Sequence, residues 1–185
     1  MTKRWIAFLR GVNVGGHNKL PMKELRGILE EAGYEEVETY IQSGNIVFTS
    51  SDESYYDASK ALTGILRDAF DITPRSHVYS PQDLLRIINA NPYRKESLKD
   101  PKSVHVFFLA EPARDADLES LEELKAYNEE VEVTDEAVYL LAPDGIGRSK
   151  LVEKLGKFVP VAMTGRNMRT VYKVAELAGL EIQDA

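Results

Sequence analysis

Residues 38–49, ETYIQSGNIVFT, decide how the chain folds. Two short strand candidates, about Glu38 to Gln42 and Asn45 to Thr49, meet at Ser43-Gly44-Asn45, and Gly-Asn is among the preferred corners of a β-hairpin. A hairpin here interrupts the strict strand-helix alternation that a parallel sheet requires. A doubly wound sheet is therefore set aside in favour of an antiparallel one.

Upstream, the apolar run Trp5 to Leu9 ends at Arg10-Gly11 and reads as a buried strand. Met22, Leu25, Ile28, Leu29 and Ala32 then recur at helical spacing behind Pro21 until Gly33 stops them. Downstream, Ala58, Ala61, Leu62, Ile65, Leu66 and Ala69 share one face of a helix over Tyr55 to Phe70, and Arg75 to Tyr79 reads as a strand. Residues 1–80 thus follow β-α-β-β-α-β, the split βαβ or ferredoxin-like order, in which an antiparallel sheet carries its helices on one face.

Residues 81–102 read as a connecting helix, capped by Ser80 with Pro81 at its start and ended by Asn91-Pro92, followed by a polar linker from Tyr93 to Lys102. Residues 103–185 repeat the pattern: a strand at Ser103 to Leu109, a helix from about Asp115 through Leu124, and a hairpin of Val131 to Thr134 with Ala137 to Leu141. Helices near Ser149 to Lys157 and Asn167 to Ala178 close the chain. The expected fold is α+β, two ferredoxin-like subdomains with an extra C-terminal helix. Packing a layer of each half against the other is the economical way to cover the remaining sheet faces.

With 185 residues, 43% hydrophobic and 29% charged, the chain has the composition of an ordinary globule. The absence of cysteine excludes disulfides, thiolate metal sites and a cysteine nucleophile. The opening MTKRWIAFLRGVN is too short in apolar residues for a signal-peptide core, and no run is long enough to cross a bilayer, so a cytoplasmic protein without a membrane partner is expected. A net charge of -7 repels nucleic acid at long range. That charge is uneven. Residues 1–20 hold Lys3, Arg4, Arg10 and Lys19 and no acid, residues 111–136 hold eleven acids against Arg114 and Lys125, and residues 143–173 hold seven bases against Asp144 and Glu153.

Both basic stretches contain glycine-rich turns. In RGVNVGGHNK, residues 10–19, Gly15 and Gly16 permit close backbone approach while Arg10, Asn13 and Lys19 supply donors, a combination suited to a phosphate or carboxylate. The spacing is neither the dinucleotide fingerprint nor the phosphate loop. At the hairpin corner, Gln42, Ser43 and Asn45 would present uncharged polar groups, and Ser43 lacks a nucleophile-elbow context. Gly145-Ile146-Gly147-Arg148-Ser149-Lys150 repeats the first loop's logic, since Arg148 and Lys150 at a helix start oppose the dipole unless they serve an anion. Thr164-Gly165-Arg166-Asn167 has the same composition. His17, His77 and His105 lack metal-ligand spacing, and no carboxylate pair is marked as acid and base. No metal or cofactor is implied, and nothing names a reaction.

The stretches RGVNVGGHNKLPM (10–22), YIQSGNIVF (40–48), RSKL (148–151) and RN-x-x-TV (166–171) together resemble the bacterial domain of unknown function 1697 family. The resemblance implies a cytosolic α+β protein of two ferredoxin-like subdomains and no particular activity. The chain departs from the family's pattern at Met168, where relatives usually carry Trp, and in a shorter stretch after Ser149-Lys150.

The leading functional expectation is an anionic small molecule or nucleotide bound in a cleft between the halves by Arg10, Asn13, Gly15, Gly16, Lys19 and Asn45 with Arg148, Lys150, Arg166 and Asn167. The alternatives are a single-stranded nucleic-acid-binding module, which ferredoxin-like sheets can form, and a protein-binding or self-associating domain using the acidic segment 111–136. The sequence carries no signal of oligomeric state.

Overall fold

The computed structural model describes residues 1–183, a mixed α+β chain with two four-stranded antiparallel sheets. The chain divides into two compact units, Met1–Arg86 with Tyr172–Ile182, and Ile87–Val171.

The first unit contains β1 (Lys3–Leu9), α1 (Met22–Glu31), β2 (Glu35–Tyr40), β3 (Asn45–Ser50), α2 (Tyr55–Phe70) and β4 (Ser76–Tyr79). Its strands lie in the order β2-β3-β1-β4, as the ferredoxin-like reading requires. Strand periodicity puts Trp5, Ala7 and Leu9 on one face, opposite Phe48 and Ile46 of β3, and this face buries Leu25 and Leu29 of α1 with Leu62 and Leu66 of α2. Ile6, Phe8 and Val47, on the other face, are buried as well. Ser54 caps α2 by accepting a hydrogen bond from the Asp57 amide.

α3 (Pro81–Asn89) begins in the first unit and ends in the second, which continues with α4 (Arg94–Lys99), β5 (Val104–Leu109), α5 (Leu118–Leu124), β6 (Glu130–Val133), β7 (Ala137–Leu141), α6 (Lys150–Phe158) and β8 (Met163–Asn167). The strand order β6-β7-β5-β8 repeats that of the first sheet. Phe107 and Leu109 of β5 and Val138 and Leu140 of β7 pack with Leu121, Leu151 and Leu155 of the helices. α7 (Met168–Leu177) follows β8 directly and counts with the first unit from Tyr172 onward.

Four local expectations are corrected. Thr164-Gly165-Arg166-Asn167 is no loop: it lies in β8, a short edge strand without apolar alternation, paired to β5. The linker from Tyr93 to Lys102 contains α4, whose only buried residue is Ser97, so no apolar stripe betrays it. α5 starts at Leu118, because Asp117 provides the cap by accepting from the Ser120 amide. In the first hairpin Tyr40 pairs with Asn45, so Ile41 to Gly44 form the turn and Asn45 belongs to the strand.

Candidate functional site

In the first unit, the sequence-marked loop 10–19 and the hairpin corner come together. The Asn13 side chain donates to the carbonyls of Gln42 (2.6 Å) and Leu20 (2.9 Å), and its Oδ1 accepts from the Leu20 amide at 2.8 Å. Asn18 donates to the Gly11 carbonyl, while Val14 and His17 pair across the turn made by Gly15 and Gly16. Gly44 lies so close to β1 that a Cβ would stand 2.7 Å from Leu9 Cβ and from Val12 Cγ2. The buried Asn45 donates to the Tyr40 carbonyl and to Ser43 Oγ. Asn13 and Asn45 therefore hold this loop cluster in shape with the groups expected to face a ligand. Arg10, His17 and Lys19 stay exposed. Arg4 is engaged instead, donating to the carbonyls of Glu36 and Leu177.

The second unit gathers Arg148 and Lys150 around a cavity of about 830 Å³, lined also by Glu123, Lys125, Asn128, Glu129, Asp144 and the backbone of Gly145 and Gly147. Ser149 caps α6 through the Val152 amide. Its Oγ donates to Oε2 of the buried Glu129 at 2.6 Å, and Glu129 Oε1 accepts from the Ala126 amide at 2.8 Å. A carboxylate of the chain itself thus sits at the N-terminus of α6, where the helix dipole favours negative charge. Asp144 accepts from Asn128 at 2.8 Å. Lys125 is bracketed by Glu122 and Glu130, whose hydrogen bonds push its ammonium up to about 12. Arg148 and Lys150 remain as exposed cations engaged with no carboxylate among the described residues, and Cβ positions built on Gly145 and Gly147 meet open space.

The remaining pair takes structural places. Arg166 is buried on β8, donating to Thr164 Oγ1 and the Gly165 carbonyl at 2.9 Å each, and its burial lowers the guanidinium to about 10. Asn167 Oδ1 accepts from the Thr170 amide and so caps α7. Gly165 is needed for contact: Phe107 lies directly across the ladder, and a Cβ would come within 2.7 Å of its ring.

Residues 1–139 match the family profile described as "Protein of unknown function (DUF1697)". The chain belongs to the DUF1697 family. Within this DUF1697 chain the loop 10–19 and the first hairpin fall inside the matched span, whereas Arg148, Lys150, Arg166 and Asn167 lie beyond it. A conserved bacterial protein from Streptococcus pneumoniae is similar in structure, with a TM-score of 0.65 at 23% identity over 96% of this chain and 99% of that one. Identity at that level speaks for the fold alone. No curated protein matches.

Sequence reasoning missed Glu129, Asn128 and Asp144. Glu129 is one of eleven acids in its segment, and it is set apart from them by the hydrogen bond from Ser149, twenty residues away in the chain, which the sequence does not show. Among the described residues no cluster of three or more His, Asp or Glu side chains could hold a metal ion, and no helix is long and apolar enough to cross a membrane.

Proposed function

We propose that this DUF1697 chain binds a small molecule bearing a phosphate or carboxylate group in the cavity of its second unit, with Arg148 and Lys150 meeting the anion. The observation that carries this reading is the lining itself: the acids Glu129 and Asp144 already hold chain partners, while Arg148 and Lys150 stand exposed at the same hollow. Glu123 is exposed at the same lining, so a ligand that also carries a hydrogen-bond donor fits better than a simple anion. Gly145 and Gly147 leave the lining open, with nothing within 4 Å of a Cβ at either position, so a ligand can approach the backbone there without meeting side-chain bulk.

Single-stranded nucleic acid is the weaker candidate. A stacking platform needs an open sheet face, and Ile6, Phe8, Val47, Val106, Phe108 and Tyr139 are all buried.

Thermal shift with inorganic phosphate, citrate, AMP and a sugar phosphate tests the proposal. A ligand at about a hundred times its Kd adds about 2.7 kcal/mol, a rise of several degrees. The rise should vanish in Arg148→Ala/Lys150→Ala and persist in Arg10→Ala/Lys19→Ala. Equal loss in both double variants, or no stabilisation by any of the four, refutes it.

A further inference from the structure

We propose that the cavity of the second unit selects amphoteric ligands, molecules that carry an ammonium group as well as a phosphate or carboxylate, and that Glu123 on α5 is the residue that meets the ammonium. This selectivity rests on the anion site proposed above and names the class of ligand that site takes.

The charges at the lining point to it. Three cations, Lys125, Arg148 and Lys150, and three carboxylates, Glu123, Glu129 and Asp144, border the same hollow. Their numbers balance, but the groups are not equally available. Lys125 is bracketed by Glu122 and Glu130, neither of which lines the cavity, so its charge is answered from outside. Glu129 and Asp144 are held by neutral donors, the Ser149 hydroxyl, the Ala126 amide and the Asn128 side chain, which leave the negative charges in place. Two uncompensated cations therefore face three carboxylates. A ligand that is only an anion meets repulsion alongside attraction, whereas an ammonium on the same molecule is drawn to the acidic side.

Glu123 is the carboxylate available to that ammonium. It is exposed and pairs with no cation among the described residues, although Arg148 and Lys150 share its lining. It also stands in the last turn of α5, where the helix dipole disfavours an acid, just as Arg148 and Lys150 oppose the dipole at the start of α6. Charges of opposite sign, each misplaced for its own helix, thus border one hollow without closing on each other. The space they leave, about 830 Å³, accommodates a ligand the size of a sugar phosphate.

Calorimetry at about pH 6.5, where the amines are protonated, compares glucosamine 6-phosphate with glucose 6-phosphate, and phosphoethanolamine with ethyl phosphate. The amine member should bind about threefold to tenfold tighter in at least one pair. Glu123→Gln should erase that preference, whereas Glu119→Gln, which removes an exposed acid of the same helix outside the lining, should keep it. Equal affinity within both pairs overturns the proposal, and where that binding is lost in Arg148→Ala/Lys150→Ala the anion site itself stands. A preference that survives Glu123→Gln, or that Glu119→Gln erases equally, overturns the role of Glu123. Binding by none of the four probes removes the anion site and its selectivity together.

Discussion

Ser149 Oγ lies 2.6 Å from Oε2 of Glu129, joining the start of α6 to the turn that precedes β6. The carboxylate's other oxygen holds the Ala126 amide, so one buried acid fixes two walls of the cavity. Glu129→Ala leaves both donors unpaired and should cost about 2–4 kcal/mol, against about 1 kcal/mol for Glu129→Gln, which keeps the shape and an acceptor. Urea unfolding of the two variants distinguishes them; equal stability would mean that the pair contributes nothing to the fold.

Removing this negative charge also bears on ligand binding. With Glu129→Gln, the cavity loses a carboxylate that repels an incoming anion, so phosphate affinity measured by calorimetry should rise roughly twofold to fivefold. A fall in affinity would place Glu129 on the ligand rather than behind it.

Gly44 has no room for a side chain and holds φ 81°, whereas Gly16, at φ 76°, has nothing within 4 Å of a built Cβ. Gly44→Ala combines left-handed strain with a clash against Leu9 and Val12 and should cost about 3 kcal/mol or more; Gly16→Ala carries the strain alone, about 1 kcal/mol. Chemical denaturation separates them, and similar costs would contradict the close approach of hairpin and β1.

Across the second sheet, Gly165 and Phe107 should show coupling. Gly165→Ala drives a methyl into the ring, so the alanine is far better tolerated once Phe107→Ala has removed it. A double-mutant cycle should give an interaction of about 1–3 kcal/mol, and strict additivity would mean the ring does not lie on the glycine.

Burial lowers the pKa of the His105 imidazole from its usual 6.5, and its Nδ1 is buried without a hydrogen-bond partner. The unfolded chain then takes up the proton first as pH falls. This contribution to stability is whole above about pH 6.5 and declines below it, at no more than about 1.4 kcal/mol per pH unit. His105→Leu should flatten the stability profile between about pH 6.5 and 5.5. An unchanged slope would show that another group is responsible.

Much of the fold was legible because its signals are local. The run Trp5 to Leu9, the 3.6-residue spacing of Leu62 and Leu66 with Ala58, and the Gly44 corner all act over a few residues. β8 was not legible: Met163 to Asn167 is polar and carries a glycine, and it becomes a strand because β5 offers it a ladder and Phe107 covers the glycine. The placement of the candidate residues was legible in part. Arg148 and Lys150 were marked by opposing a helix dipole, and they do line a cavity. Asn13, Asn45 and Asn167 were marked by composition alone, and their amides serve the backbone, which a sequence does not distinguish from facing a ligand.

The most direct measurement is an amide NMR titration of the 15N-labelled chain with AMP and with inorganic phosphate. Saturable shifts should centre on Gly145 to Lys150 and Ala126 to Glu129, the two walls joined by Ser149 and Glu129. Shifts centred on residues 10–19, or none at saturating ligand, would contradict a binding site in the second unit.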